Sequence, residues 1–163
     1  DFSTWETGVT LGAFGISSAI VQGGLIRFII PRVGEHWTVI YGMSLQVATF
    51  VGYVFIPYGW MIYLLLPLAA LGGVAGPALA GIMSRSVGDD QQGELQGVNA
   101  SIAAVSMTIA PLVLTQAFTY FTGPNAPFNL PGAPFALSAI LLAFALVVFL
   151  GRRRLGGVAL ENK

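Results

Sequence analysis

The chain of 163 residues has no cysteine and one histidine. Without thiols, disulfides and thiolate metal sites are excluded. His36 sits in a turn beside Glu35 with no second histidine near it, so no metal-ligand set is assembled and no metal is expected. Charge is scarce too: 9% of residues are acidic or basic, against about a quarter in soluble proteins. None of these charges falls in the middle of a long apolar run. The runs therefore offer no embedded proton relay or ion-coupling carboxylate. They also hold no nucleophile paired with a base, which argues against an enzyme, and nothing in the composition calls for a cofactor or for nucleic acid as a partner.

What the chain has in abundance is apolar sequence, 55% of its residues, with a mean hydropathy of +0.79. A helix that crosses a bilayer needs roughly 20 mostly apolar residues at about 1.5 Å each. Runs of that kind cover residues 8–30, 39–56, 60–83, 98–121 and 134–150. The last is short, a mismatch that flanking interfacial residues can absorb. The fold class is all-α, a polytopic membrane protein with five transmembrane helices. Residues 1–154 form one membrane domain, and 155–163 form a mobile cytoplasmic tail. The chain begins at Asp1, not methionine, with no basic segment or cleavage site before its first run, and is expected to be a piece of something longer.

The net charge is zero, but the basic residues are distributed on one side only. Arg27 and Arg32 flank the first connection, Arg85 begins the third, and Arg152, Arg153, Arg154 and Lys163 follow the last run. By the positive-inside rule those parts face the cytoplasm, which places the N-terminus outside and the C-terminus inside the cell membrane. Trp5, Trp37 and Trp60 each fall at a run border, the level an amphipathic indole prefers.

Lipid gives helices no hydrophobic reason to associate, so small residues at helical spacing read as packing faces. Gly8 and Gly12, then Gly15, Ala19 and Gly23, form such a series in the first run, and Gly72 and Gly76 in the third, where with Pro77 they read as a packing seam or as a moving hinge. Pro77 follows directly and removes a backbone bond, and Pro111 is a second expected kink. Pro31 is expected to end the first helix and Gly34 to turn the chain. The polar stretch 84–97 and the proline- and glycine-rich stretch 122–134 read as loops.

Polar residues within the runs are the candidate site. Ser18 and Gln22 lie four apart in the first run, and Ser101, Thr108 and Thr115 recur every seven residues in the fourth. Hydroxyls can bond back to their own helix, so for these two readings stay open, a polar cavity or plain helix packing. Gln22 and Gln46 are too long and polar for lipid and must face protein or water. Arg32, Glu35, Arg85, Asp89, Asp90 and Glu94 share one membrane face, as an ionic gate or as solvated loop charges.

These residues carry a resemblance. The turn Pro31-Arg32-Val33-Gly34-Glu35 is similar to the second-half copy of the Asp-Arg-x-Gly loop motif of the major facilitator superfamily. The run from Gly72 to Leu79 resembles the tenth helix of that superfamily's tetracycline-efflux branch. Ser84-Arg85 followed by Gln92-Gly93-Glu94-Leu95-Gln96-Gly97 resembles the loop entering its eleventh helix. The chain thus resembles the C-terminal half of a drug:proton antiporter of that branch, its five helices matching the eighth to twelfth.

The resemblance implies export by alternating access about a midplane site, with small-molecule substrate, protons and the absent N-terminal half as partners. It implies a cavity wall made by the first, third and fourth helices, and a cytoplasmic gate of Arg32, Gly34, Glu35, Arg85, Asp89 and Glu94. Two positions depart from it: Pro31 replaces the motif's aspartate, and Gln46 stands where several tetracycline pumps carry an aspartate. The coupling acids are then expected in the absent half. The alternative is a non-transporting membrane subunit that packs against a partner helix bundle.

Overall fold

The computed structural model describes residues 3–56, 58–124 and 126–161, and for 152–161 the backbone alone. The expected cluster Arg152, Arg153, Arg154 therefore has no described side chains, and Lys163 lies outside the described residues. Among the described residues there is no strand. Five helical spans are long and apolar enough to cross a membrane: Thr4–Val33, Glu35–Val54, Gly59–Arg85, Asp89–Thr122 and Ala133–Gly151.

The first, second and fourth spans begin four or more residues earlier than hydropathy indicates, at the polar residues Thr4, Glu35 and Asp89. The first opens at Thr4 because Ser3 and Glu6 form a capping box. The Glu6 N–H donates to the Ser3 hydroxyl at 3.2 Å, and the Ser3 N–H donates to the Glu6 carboxylate at 2.8 Å. The stretch 84–97, read as a loop, is mostly helix: one 3-10 turn, Asp89–Gln91, leads straight into a helix running Gln92–Thr122. The final helix continues to Glu161. The described residues between Thr122 and Ala133 do lack regular structure.

The prolines act unequally. Pro31 lies inside the helix Ile26–Val33, which ends at Gly34, where a φ of 80° favours the residue with no Cβ. The turn is therefore made by Gly34, not by Pro31. Pro111 sits within the unbroken helix Gln92–Thr122, the tolerance that membrane helices show when neighbouring backbone and side chains absorb the lost bond. In the third span the helix stops at Gly72 and restarts at Ala75. Pro77 has no N–H to return to the carbonyl of Gly73, and the adjacent glycines let the backbone give there.

A feature with no counterpart in the hydropathy pattern lies in the first span. Val21–Leu25 is a π-helical turn, closed by the Ile26 N–H donating to the Val21 carbonyl five residues back.

The spans fan out around the second. It packs most extensively against the third, along both of its helical segments, and next against the fifth. The first lies on the third, and the fourth lies on the fifth. The tightest approaches occur where glycine allows backbones to meet: a Cβ on Gly42 would lie 2.8 Å from the Ala75 nitrogen and 2.9 Å from the Gly72 carbonyl oxygen. A Cβ on Gly132 would lie 2.8 Å from the Val54 Cα. The expected glycine face of the first span packs on no other described segment, since Gly8, Gly12, Gly15 and Gly23 have no such atom within 4 Å of where a Cβ would stand. Gly76 is equally open, so of the Gly72 and Gly76 pair only Gly72 makes a contact. No described residue of the fourth span is buried.

Candidate functional site

Between the first, second and third spans and the start of the fifth lies a cavity of about 640 Å³, within the size range of small-molecule sites. It occupies the end of the bundle that holds the N-terminus. Phe14, Phe50, Tyr53 and Phe135 supply aromatic wall, with the Tyr53 and Phe135 ring centroids 5.1 Å apart. Polar groups reach it from Thr10, Gln46 and Thr49. Thr49 is buried with its hydroxyl donating to the Leu45 carbonyl at 2.8 Å, and the Thr10 hydroxyl donates to the Glu6 carbonyl at 2.7 Å. The Gln46 amide and the Tyr53 phenol are the other polar groups in the wall. No charged side chain is among the described lining residues. An uncharged, largely apolar ligand is what such a lining can hold.

Gln46 is placed by Gly72: a Cβ on Gly72 would stand 3.0 Å from the Gln46 Cγ and 3.2 Å from its nitrogen. The glutamine stem lies flat against the third span, and the second span contributes to the cavity that the resemblance assigned to other helices. The remaining candidates are not brought to it. Ser18 is half-buried, farther along the first span. Gln22 is exposed in the π turn. Ser101 and Thr108 are exposed on the fourth span, their hydroxyls donating to the carbonyls of Gly97 at 2.9 Å and Ala104 at 3.0 Å. Thr115 lines a separate open depression beside Pro111 and Gln116.

At the opposite end of the bundle, the charged connections meet in part. Arg85 pairs with Glu35 across the second and third spans. Gly81 makes room for the pair, since a Cβ there would come within 2.7 Å of the Glu35 carboxylate and 3.3 Å of the Arg85 guanidinium. Arg32 lies 5.9 Å over the ring of Phe28, one turn back on its own helix. Asp89, Asp90 and Glu94 are exposed. Sequence reasoning missed Gln92, which holds the third connection shut. Its amide N–H donates to the Ser84 carbonyl at 2.7 Å, and the Ser84 hydroxyl donates to its oxygen at 3.0 Å.

No family model matches the chain, and no solved structure matches it. Curated proteins do. The class G tetracycline resistance protein of Vibrio anguillarum is 37% identical over 105 residues, 64% of this chain and 27% of that protein. The chain is similar in sequence to tetracycline resistance proteins. The class C protein of Escherichia coli is 35% identical over 105 residues, 64% of this chain and 26% of its own length. The class E protein of Escherichia coli is 38% identical over 95 residues, 58% of this chain and 24% of its own length. The match thus spans about a quarter of these tetracycline resistance relatives.

Proposed function

We propose that the chain is part of a membrane exporter for a small molecule, tetracycline or a compound like it. The sequence match to tetracycline resistance proteins carries this reading. In it, the five spans are the eighth to twelfth helices of a major facilitator transporter. Residues 1–154 are its membrane domain, 155–163 are a cytoplasmic tail, and the rest of the transporter supplies the seventh helix and the N-terminal half. The protein sits in the cell's inner membrane with Gly34, Arg85 and the C-terminus on the cytoplasmic side.

The drug is held partly by the cavity around Gln46 and partly by the polar rows of half-buried Ser18 with Gln22 and of exposed Ser101, Thr108 and Thr115, which face the absent half. Export runs by alternating access, with Glu35 and Arg85 as one latch of the cytoplasmic gate. Proton exchange drives it through carboxylates outside this chain, because the middles of these spans carry none. The test is tetracycline accumulation in a sensitive host expressing the complete protein. Gln46→Leu and Gln22→Ala are expected to raise accumulation several-fold with membrane levels unchanged, and wild-type accumulation in both would sink the proposed binding wall.

One observation favours a second reading, a non-transporting subunit: the glycine face of the first span is open along its length. That subunit would co-purify with a separate polypeptide and leave tetracycline accumulation unaltered when its gene is deleted.

A further inference from the structure

The two irregularities of the bundle lie against each other. The π turn Val21–Leu25 interrupts the first span, and the break between Gly72 and Ala75 interrupts the third. Where they meet, Val21, Ala70 and Val74 form a buried cluster, with Ile26, Ile29 and Leu71 packed around it. Val21 is the first residue of the π turn, and Ala70 and Val74 bracket the break. At the break the Gly73 N–H is shared between the carbonyls of Ala69 at 3.2 Å and Ala70 at 3.1 Å, and the Val74 N–H reaches Leu71 at 3.3 Å. Such shared and lengthened bonds, together with the donor that Pro77 lacks, leave this turn less constrained by backbone hydrogen bonds than the helices on either side, while Gly42 packs against its edges. Gly23 and Gly24, in the π turn, have open space around them.

We propose that the first and third spans bend as one unit at this level, with the cluster of Val21, Ala70 and Val74 as the pivot. The inference rests on the transport reading for its purpose. Both irregular turns can change local angle without breaking the packed cluster, because a π turn holds one residue more than an α-helix needs and Gly73 carries no side chain. The N-terminal half of the first span carries Thr10 and Phe14, and that of the third carries Leu66, all in the cavity wall. Bending at the pivot therefore opens or closes the cavity while the second and fifth spans, which have no such interruption, stay fixed as a frame.

Deleting Gly23 removes the extra residue and regularises the first helix while both flanks keep their faces, and Pro77→Ala returns a donor to Gly73. The chain has no cysteine, so spin labels attach here only where cysteines are introduced. In the complete protein, a cysteine-free version elsewhere, label pairs Leu11 with Val51 (first to second span) and Val51 with Phe144 (second to fifth) are measured with and without tetracycline, beside export by the same protein in inverted vesicles. Tetracycline is expected to shift the first pair and not the second. Either variant is expected to lose that shift while its yield and thermal unfolding match wild type.

A shift that persists in both variants overturns the hinge, and so does wild-type protein that exports without any shift. Wild-type protein that shifts but does not export keeps the hinge and removes the transport reading.

Discussion

Gly42 sets the distance between the second and third spans. Because its missing Cβ would collide with backbone atoms of Ala75 and Gly72, no side-chain rotation relieves an added methyl. Gly42→Ala is expected to destabilise the protein by about 1–3 kcal/mol, the usual cost of overpacking. Gly12→Ala, with open space at its Cβ position, is expected to stay within about 0.5 kcal/mol of wild type. Thermal unfolding of both in the same detergent checks the pair.

Sequence spacing directed attention to the glycines of the first span, which touch nothing, and passed over Gly42, Gly52, Gly81 and Gly132, which stand against neighbouring segments. Spacing marks which residues of one helix share a face; it does not say which face has a partner. Gln46 and Gln22 illustrate the same limit. Both are polar amides that lipid disfavours, yet one lies between two spans and the other faces out of the chain.

At the scale of the element, the connections carry the predictions. Gln92 closes the third connection with two hydrogen bonds to Ser84. At about 0.5–1.5 kcal/mol net for each bond, Gln92→Ala is expected to cost about 1–3 kcal/mol. It should also raise protease cleavage between residues 86 and 91, read by limited proteolysis from the exposed side.

The Glu35 and Arg85 pair joins the second and third spans at the same end. The Arg85 side chain is 65% exposed, so water and salt screen the attraction. A double-mutant cycle with Glu35→Gln and Arg85→Ala is expected to give a coupling below about 1 kcal/mol that shrinks as salt is raised. A larger coupling, independent of salt, would mean that the remainder of the protein buries the pair.

The π turn and the unbroken passage through Pro111 were not legible in the sequence. A single extra residue in a helix leaves the hydropathy pattern of both flanks intact, and proline's effect on a membrane helix depends on what its neighbours supply. The break before Pro77 was legible because proline and glycines coincide there.

For the molecule as a whole, antiparallel spans place Gly34, Arg85 and the C-terminal end of the fifth span at one end of the bundle, as the ion pair Glu35–Arg85 and the 6.0 Å approach of the His36 and Phe149 rings require. All basic residues fall toward this end in the sequence. Reporter fusions to the complete protein are expected to report cytoplasm after Gly34 and Val87 and exterior after Tyr58 and Gly123; the reverse pattern would invert the proposed orientation.

The fourth span, with no described residue buried, is the surface that the proposed transporter's remainder would cover. Cysteines at Ser101, Thr108 and Thr115 should then react with a water-soluble maleimide and be protected by tetracycline. Labelling that tetracycline leaves unchanged would place that face in contact with protein instead of substrate.

The class of molecule followed from sequence alone, because crossing a bilayer imposes a length and a composition on each helix that do not depend on its neighbours. The number of spans and the turn at Gly34 followed from the same local physics. Which faces pack, which glutamine enters a cavity, and where two interrupted helices meet were decided only by tertiary structure. In lipid those choices rest on close contact between particular backbones, and a linear sequence does not show which backbones come together.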